Sequence, residues 1–304
     1  MNNGYQKIVR IDIDKIVTIL QYVKSSFVNK TTTYNTNSSQ LVQNNKRLGN
    51  ILTDTIIEKT STSPRFYWII GTLDTVSGKT QRHVIVIQDG KTILNTPYKF
   101  YFEMRTGAMD ALLLNTLAVK LKSGRSIAFG TGNVSLWSIY FLKALNRELK
   151  IIDIVTNNGF DNDFYHACRQ IGVRVNFVDQ SKVYLRNYNL IMCHSSHTKP
   201  LVNQGAIAPG TVITSYTSIH EFEIDLSFLS NPKVTLIYDC KKNISKLTNK
   251  NPLTILPKQV LLHELINNQS QVNINGITIF SAPGTPIQDF GLCKYLIEKG
   301  LLDI

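Results

Sequence analysis

Gly130-Thr131-Gly132-Asn133-Val134-Ser135 stands between an apolar run, Ser126-Ile127-Ala128-Phe129, and a helical stretch. Gly130 permits a tight turn. Gly132 lacks a Cβ, so the backbone there can approach a pyrophosphate, and the small Ser135 lets the helix pack closely on the strand. The helix start then directs N–H groups and the positive end of its dipole at phosphate oxygens. A lone glycine turn of this kind is as much a structural device as a binding one. This one opens a run of alternating strands and helices, which makes it a dinucleotide turn with Gly130, Thr131, Gly132, Asn133 and Val134 as the expected cofactor contacts. The following strand, Lys150–Val155, ends at Thr156-Asn157-Asn158. A carboxylate at that tip would bind the ribose 2′-OH and select NAD. The tip carries none, and Asp153 lies inside the strand. Thr156 and Asn157 can donate hydrogen bonds to a 2′-phosphate, which tilts the expectation from NAD toward NADP(H), although no arginine stands there.

Three further groups could do chemistry, and each has a plainer reading. His194-Ser195-Ser196-His197 places two imidazoles three residues apart, but a metal site needs a third ligand and the nearest acids, Glu221 and Glu223, lie in an adjacent loop. A loop lining the cofactor fits better, and no metal is expected. Cys193 reads as a buried strand cysteine rather than a nucleophile, because nothing positions a partner for it. Tyr98, Phe100, Tyr101 and Phe102 around Lys99 could stack on bases, but packing at a dimer interface is the better reading.

The elements that must hold these groups follow from periodicity. Residues 11–28 space Ile16, Ile19, Val23 and Phe27 along one helical face. Residues 29–50, rich in Thr, Asn and Ser, read as an extended or mobile connector. FYWII (66–70), HVIVI (83–87) and TILNT (92–96) are strand-like, with Asp89-Gly90 as a tight turn. Residues 103–122 form a long helix of Ala and Leu. Short β-branched runs then alternate with helices at 134–146 and about 161–171, the mark of a parallel sheet with crossover helices. A terminal helix closes the chain. The fold class is α/β: an amino-terminal α+β domain followed by a Rossmann-type doubly wound dinucleotide-binding domain, with the boundary in or after the 103–122 helix. Periodicity leaves open which of the two domains the terminal helix joins.

Composition bounds the partners. The 304 residues carry 33 Lys/Arg against 21 Asp/Glu, a net charge of +12, with 43% hydrophobic residues. That content fills a core and excludes disorder over most of the length. The charge invites anionic partners, but it is dispersed: residues 1–110 hold 14 basic against 8 acidic side chains, or +6, and the remainder holds the other +6. A nucleic-acid domain would show a stripe or tail. The one local excess, Lys241, Lys242, Lys246, Lys250 and Lys258, reads as a solvated loop. Four cysteines without a C-x-x-C pair fit a reducing compartment. No signal peptide or bilayer-length apolar run is evident, so a cytoplasmic protein is expected, with no nucleic-acid and no membrane partner.

Four blocks carry a resemblance. Met104-Arg105-Thr106-Gly107-Ala108, the GTGNVS turn, LIMCHSSHTKPLV (190–202) and FSAPGTPIQD (280–289) resemble the ornithine cyclodeaminase/mu-crystallin family in order and spacing. The resemblance implies an NAD(P)-dependent oxidoreductase that moves a hydride to or from an amino-acid or imine substrate, as a homodimer. It also implies that the terminal helix returns to the first domain and makes it discontinuous: a substrate and dimerisation domain from 1–117 with 286–304, and the dinucleotide-binding domain at 118–285. It leaves open a non-catalytic NADP(H)-binding protein of the mu-crystallin kind, and a cyclodeaminating lyase or amino-acid-condensing synthase. It implies that Arg105 grips the substrate carboxylate, whereas the plain reading pairs Arg105 with Glu103 or Asp110 at the surface. Thr106 matches a residue near the cofactor phosphate, and Ser195 matches the residue ending the strand beside the dinucleotide. Gly284 and Asp289 match the closing block at the substrate, where Asp289 is equally the N-terminal charge of the last helix. Two positions depart from the pattern: Tyr67 stands where the family has its catalytic lysine, and an isoleucine or His220 falls where it has a proton-handling aspartate. Tyr67 and His220 are the candidate proton donors and acceptors.

Overall fold

The computed structural model describes residues 3–28, 32–43, 46–58, 65–74, 80–119, 125–146, 148–157, 159–195, 199–216, 223–239, 257–282, 284 and 286–302. His197, His220, Cys240, Lys79 and Lys241 to Lys250 lie outside them. Two helices open the chain, α1 (Asn3–Val9) and α2 (Ile13–Val28), followed by β1 (Thr32–Gln43), β2 (Lys46–Glu58), β3 (Arg65–Asp74), β4 (Thr80–Gln88) and β5 (Lys91–Pro97). Helix α3 (Lys99–Thr116) leads into β6 (Ser126–Phe129), α4 (Asn133–Leu145), β7 (Ile151–Val155), α5 (Asn162–Gln170), β8 (Arg174–Phe177), β9 (Leu190–Cys193) and β10 (Val212–Ser215). The chain ends with β11 (Val234–Tyr238), β12 (Lys258–Leu261), α6 (Leu262–Ile266), β13 (Ile277–Ser281) and α7 (Pro286–Lys299).

These elements divide into two compact units, residues 1–20, 106–285 and 304, and residues 21–105 with 286–303. The first holds an eight-stranded sheet in the order β12-β11-β13-β10-β9-β6-β7-β8, with every pairing parallel. The chain winds outward from β6 through β7 to β8, then reverses to β9 on the other side of β6. That reversal leaves a crevice at the carboxyl ends of β6 and β9, where open α/β sheets bind ligands. Strands β6, β9, β10, β11 and β13 are buried at every position, as strands covered on both faces must be. Alternate side chains of these strands, among them Ile127, Ile191, Ile213, Leu236 and Ile279, meet in one core on one face of the sheet. Strand β12, which the periodicity did not reveal, pairs with β11.

The second unit is a five-stranded antiparallel meander, β1-β2-β3-β4-β5. Asp89 (φ 52°) and Gly90 (φ 70°) form the expected tight turn between β4 and β5, both in the left-handed region that such hairpins require. Helix α7 packs along β1, β2 and β5, and the face of α2 carrying Val23 and Phe27 is buried as its spacing predicts. Residues 29–50 correct the connector reading: Thr32–Gln43 and Lys46–Glu58 pair as a long antiparallel hairpin. Their polar composition has no period-2 alternation, so the pairing rests on ladder hydrogen bonds that composition does not display.

The first twenty residues group with the parallel sheet, whereas the sequence reading assigned 1–117 to the other domain. The contacts are specific. The Tyr5 hydroxyl donates to the carbonyl of Thr131, the Tyr140 hydroxyl donates to the carbonyl of Ile11, and the Tyr5 ring meets Phe164 edge-on at 5.7 Å.

Candidate functional site

The glycine turn sits where β6 passes into α4. Gly130 has φ +108°, and a Cβ there would lie 2.8 Å from the main-chain oxygen of His194, so only glycine fits. Its N–H donates to the Val155 carbonyl at 2.8 Å, and the His194 N–H donates to the Phe129 carbonyl at 3.0 Å. The turn is thereby tied to the tips of both neighbouring strands. Gly132 is different: it is exposed, it is the N-cap of α4 with no side-chain cap, and a Cβ would meet nothing within 4 Å. A helix start with its backbone bare on one side is what an anion uses. Thr131, Asn133 and Val134 are half-buried around it, while Ser135 is fully buried under the helix. Thr156 is half-buried and Asn157 exposed at the end of β7. Asp153 faces away from that tip, accepting from Tyr188 Oη at 2.6 Å and Asn176 Nδ2 at 3.0 Å. The tip of β7 therefore presents hydroxyl and amide groups without a carboxylate.

Two buried carboxylates anchor the tips of β9 and β10. Glu223, 1% exposed, accepts from the backbone N–H of Ser195 at 3.0 Å and from its hydroxyl at 2.9 Å through Oε1, and from the Ser215 hydroxyl at 3.0 Å through Oε2. Ser195 is thus oriented by an acid from the loop that follows β10. Asp110, from α3, lies 2.9 Å from Nε2 of His194, whose Nδ1 is 3.3 Å from Ser135 Oγ. The imidazole stacks on Tyr216 with centroids 4.9 Å apart. Gly284 (φ +103°) donates its N–H to Asp239 Oδ2 at 3.1 Å in the same unit. Thr106 is buried at the point in α3 where the two units divide.

In the antiparallel unit, Arg105 is 3% exposed. Its Nε donates to Asp289 Oδ1 at 2.7 Å, Nη2 to Asp289 Oδ2 at 3.3 Å, and Nη1 to Gln288 Oε1 at 2.5 Å. The Phe102 ring lies 4.2 Å from the guanidinium carbon, and Tyr98 Oη donates to Asp289 Oδ1 at 3.0 Å. The plain alternative, a surface pairing with Glu103 or Asp110, does not form; the partner is Asp289, in the first turn of α7. Burial first, and the Asp289 charge second, push the Tyr98 phenol well above its ordinary range.

Tyr67 is fully buried on β3. Its hydroxyl donates to Glu58 Oε2 at 2.7 Å and lies 3.4 Å from Arg65 Nη1, and its ring meets Phe290 edge-on at 5.1 Å. Lys294 of α7 holds the other Glu58 oxygen at 3.0 Å. Burial, followed by the bond to Glu58, raises the phenol above its ordinary value, so the hydroxyl keeps its proton. His220 lies outside the described residues. Cys193 is buried, and burial with the charges of Glu223 and Asp110 raises its thiol far above the reactive range. Among the described residues no cluster of His, Cys, Asp or Glu could hold a metal ion, and no helix is long and apolar enough to cross a membrane.

Sequence reasoning named Asp110 and Glu223 only as a surface partner of Arg105 and as an acid too remote for a metal site, and did not single out Glu58 and Lys294. The first two carried a legible signal. Asp110 interrupts the otherwise apolar stretch Gly107–Leu114, and Glu223 follows the end of β10 in the next loop; a carboxylate placed in a core needs a buried partner. Glu58 and Lys294 are 236 residues apart and had none.

Compared by sequence, the chain matches no family profile and no curated protein. Compared by structure, it is similar to a probable ornithine cyclodeaminase from Bordetella pertussis Tohama I, with TM-score 0.77, 15% identity and 97% of each chain covered. It is also similar to Thermococcus litoralis Δ1-pyrroline-2-carboxylate reductase in complex with NADH and L-proline, with TM-score 0.73 and 16% identity over 95% of this chain and 93% of that one. A third is the iminosuccinate reductase of Paracoccus denitrificans in complex with NAD+, with TM-score 0.74 and 12% identity over 95% and 92%. The chain shares the fold of these proteins over almost its whole length.

Proposed function

We propose that this chain is a member of the ornithine cyclodeaminase/mu-crystallin family that binds a nicotinamide dinucleotide and moves a hydride to or from the α-carbon of an amino-acid or imino-acid substrate. The observation that carries the reading is the Gly130–Ser135 turn at the reversal of the parallel sheet. Gly130 is forced to be glycine by the His194 carbonyl, while Gly132 leaves the start of α4 bare. The chain has the fold of reductases whose structures hold NADH and NAD+, which supports the same cofactor class here.

The bound nicotinamide supplies the hydride donor or acceptor. Backbone N–H groups from Thr131 to Val134 hold the diphosphate at the turn that Gly130 shapes, with Thr106 and Ser195 beside it. Thr156 and Asn157 face the adenine ribose, and without a carboxylate there nothing repels a 2′-phosphate, so NADP(H) is accepted at least as well as NAD(H). Arg105 holds the substrate carboxylate, with Asp289 and Gln288 fixing its plane; three of its five N–H donors are used by those two residues, which leaves two. Gly284 brings backbone to the substrate, and Tyr67 and His220 handle protons.

One observation favours a second reading, a non-catalytic NADP(H)-binding protein: the Tyr67 proton is already committed to Glu58. Titration of the protein with NADH and NADPH, followed by nicotinamide fluorescence, tests both. Oxidation of bound reduced cofactor by a panel of 2-oxo acids with amines supports the oxidoreductase, and binding without turnover supports the second reading. Proline and ammonia from ornithine would instead identify a cyclodeaminating lyase. Failure to bind either dinucleotide refutes all of these. Light scattering reads the proposed homodimer.

A further inference from the structure

The strongest unexplained feature is the buried pair His194–Asp110. Both side chains are fully buried, their contact is 2.9 Å, and Asp110 Oδ1 has no hydrogen-bond partner among the described residues. Such a pair is a poor device for stability: two desolvated groups, one carboxylate oxygen unsatisfied, where well-packed apolar side chains would serve as well or better. What the pair supplies is position. It joins three segments distant in sequence: α3 through Asp110, the tip of β9 through His194, and the first turn of α4 through Ser135. An ionised carboxylate only accepts, so the Asp110 contact puts a proton on Nε2. In the neutral ring Nδ1 then accepts from the Ser135 hydroxyl. The ring is further held by stacking on Tyr216, whose hydroxyl lies 3.4 Å from Ser138 Oγ, also on α4. The main chain of the same histidine is the wall against which the glycine turn is built, since its carbonyl is what a Cβ on Gly130 would strike at 2.8 Å.

We propose that Asp110, His194 and Ser135 form a buried latch that fixes the distance between the tip of β9 and the glycine turn, and thereby sets the affinity of that turn for a dinucleotide. His194 and Asp110 are positioning residues that touch no ligand. The proposal rests on the dinucleotide reading of the turn and adds to it the residues that hold the turn in register.

The test pairs apolar with polar replacements of similar size. His194→Leu and Asp110→Leu fill the space and break the latch; His194→Gln keeps one donor and one acceptor, and Asp110→Asn keeps an acceptor. Two quantities are measured on each purified protein: Kd for NADH by fluorescence, and hydrogen exchange of the amides at 130–136 without ligand. The leucine variants raise Kd about tenfold, the equivalent of one hydrogen bond to a charged group, while the polar variants stay within about threefold. Exchange at 130–136 quickens in the leucine variants and returns toward wild type in the polar ones. Equal Kd and equal exchange in the leucine and polar variants would overturn the latch, because packing alone would then explain the pair. A wild-type protein that binds neither dinucleotide overturns the affinity half together with the reading of the turn. The exchange measurement then decides the mechanical half separately.

Discussion

Replacing Arg105 by alanine separates its structural task from its binding task. In the folded chain Arg105 and Asp289 are 3% and 1% exposed, with contacts of 2.7 and 3.3 Å between guanidinium and carboxylate. Arg105→Ala leaves Asp289 with the Tyr98 hydroxyl at 3.0 Å and leaves Gln288 Oε1 without the Arg105 donor. Removing one partner of a buried pair costs about 3–5 kcal/mol, because the remaining charge is stranded. The change also forfeits the Phe102 stacking, which contributes about 2 kcal/mol when desolvated. Removing both charges strands neither, so the double variant Arg105→Met with Asp289→Leu is expected within about 2 kcal/mol of wild type. Urea denaturation followed by circular dichroism measures each stability, with an unchanged m-value as the check that the same transition is compared. Wild type, the single variants Arg105→Met and Asp289→Leu, and the double variant close a double-mutant cycle whose interaction energy is the coupling of the pair. An Arg105→Ala protein less than about 1 kcal/mol below wild type would refute the claim that Asp289 depends on Arg105. The same proteins test substrate binding. If Arg105 also holds a substrate carboxylate, the double variant recovers stability yet shows a raised KM, whereas an unchanged KM assigns Arg105 to structure alone.

Three further outcomes are expected. Gly132→Ala keeps the fold within about 1 kcal/mol, because its Cβ meets open space, but weakens NADH binding at least tenfold; Gly130→Ala loses about 2 kcal/mol or more from its positive φ and the His194 carbonyl. Denaturation and fluorescence titration read the pair, and equal effects of the two substitutions would contradict the division of labour between the glycines. Tyr67→Phe removes the bond to Glu58 and lowers stability by about 1–2 kcal/mol. A simultaneous fall in kcat of about a hundredfold or more would identify Tyr67 as a proton donor, and an unaltered kcat would remove it from the chemistry. The thiols of Cys168, Cys193 and Cys293 are buried, and burial raises each of them. Since thiolate is the reactive form, iodoacetamide at pH 8 leaves their peptides unlabelled in the native protein and labels them in urea; rapid native labelling of Cys193 would count against its burial.

The parallel unit was largely legible because its strands are covered on both faces and so appear as short, continuous apolar runs. SIAF, IIDIV, LIMC and VTLIY fall where the runs predicted strands. The hairpin of β1 and β2 was not legible: TTYNTNSSQ has neither an apolar run nor an alternation, and its strand character lies in backbone pairing with 46–58. The amino-terminal helix was missed for a related reason. Seven residues form no recognisable stripe, and α1 belongs with the parallel sheet through Tyr5.

By itself, then, the sequence determined the glycine turn, its place between strand and helix, the absence of an acid at Thr156-Asn157, and the two-part α/β plan. Each of these is written in neighbouring residues, where the chemistry of a turn or strand is local. The pairing of charged groups was decided only in three dimensions. Arg105 had two acids close by along the helix and took Asp289, 184 residues away; His194 found Asp110 84 residues before it. A charge expelled from water takes the partner that burial brings within reach, and nearness along the chain does not specify which partner that is.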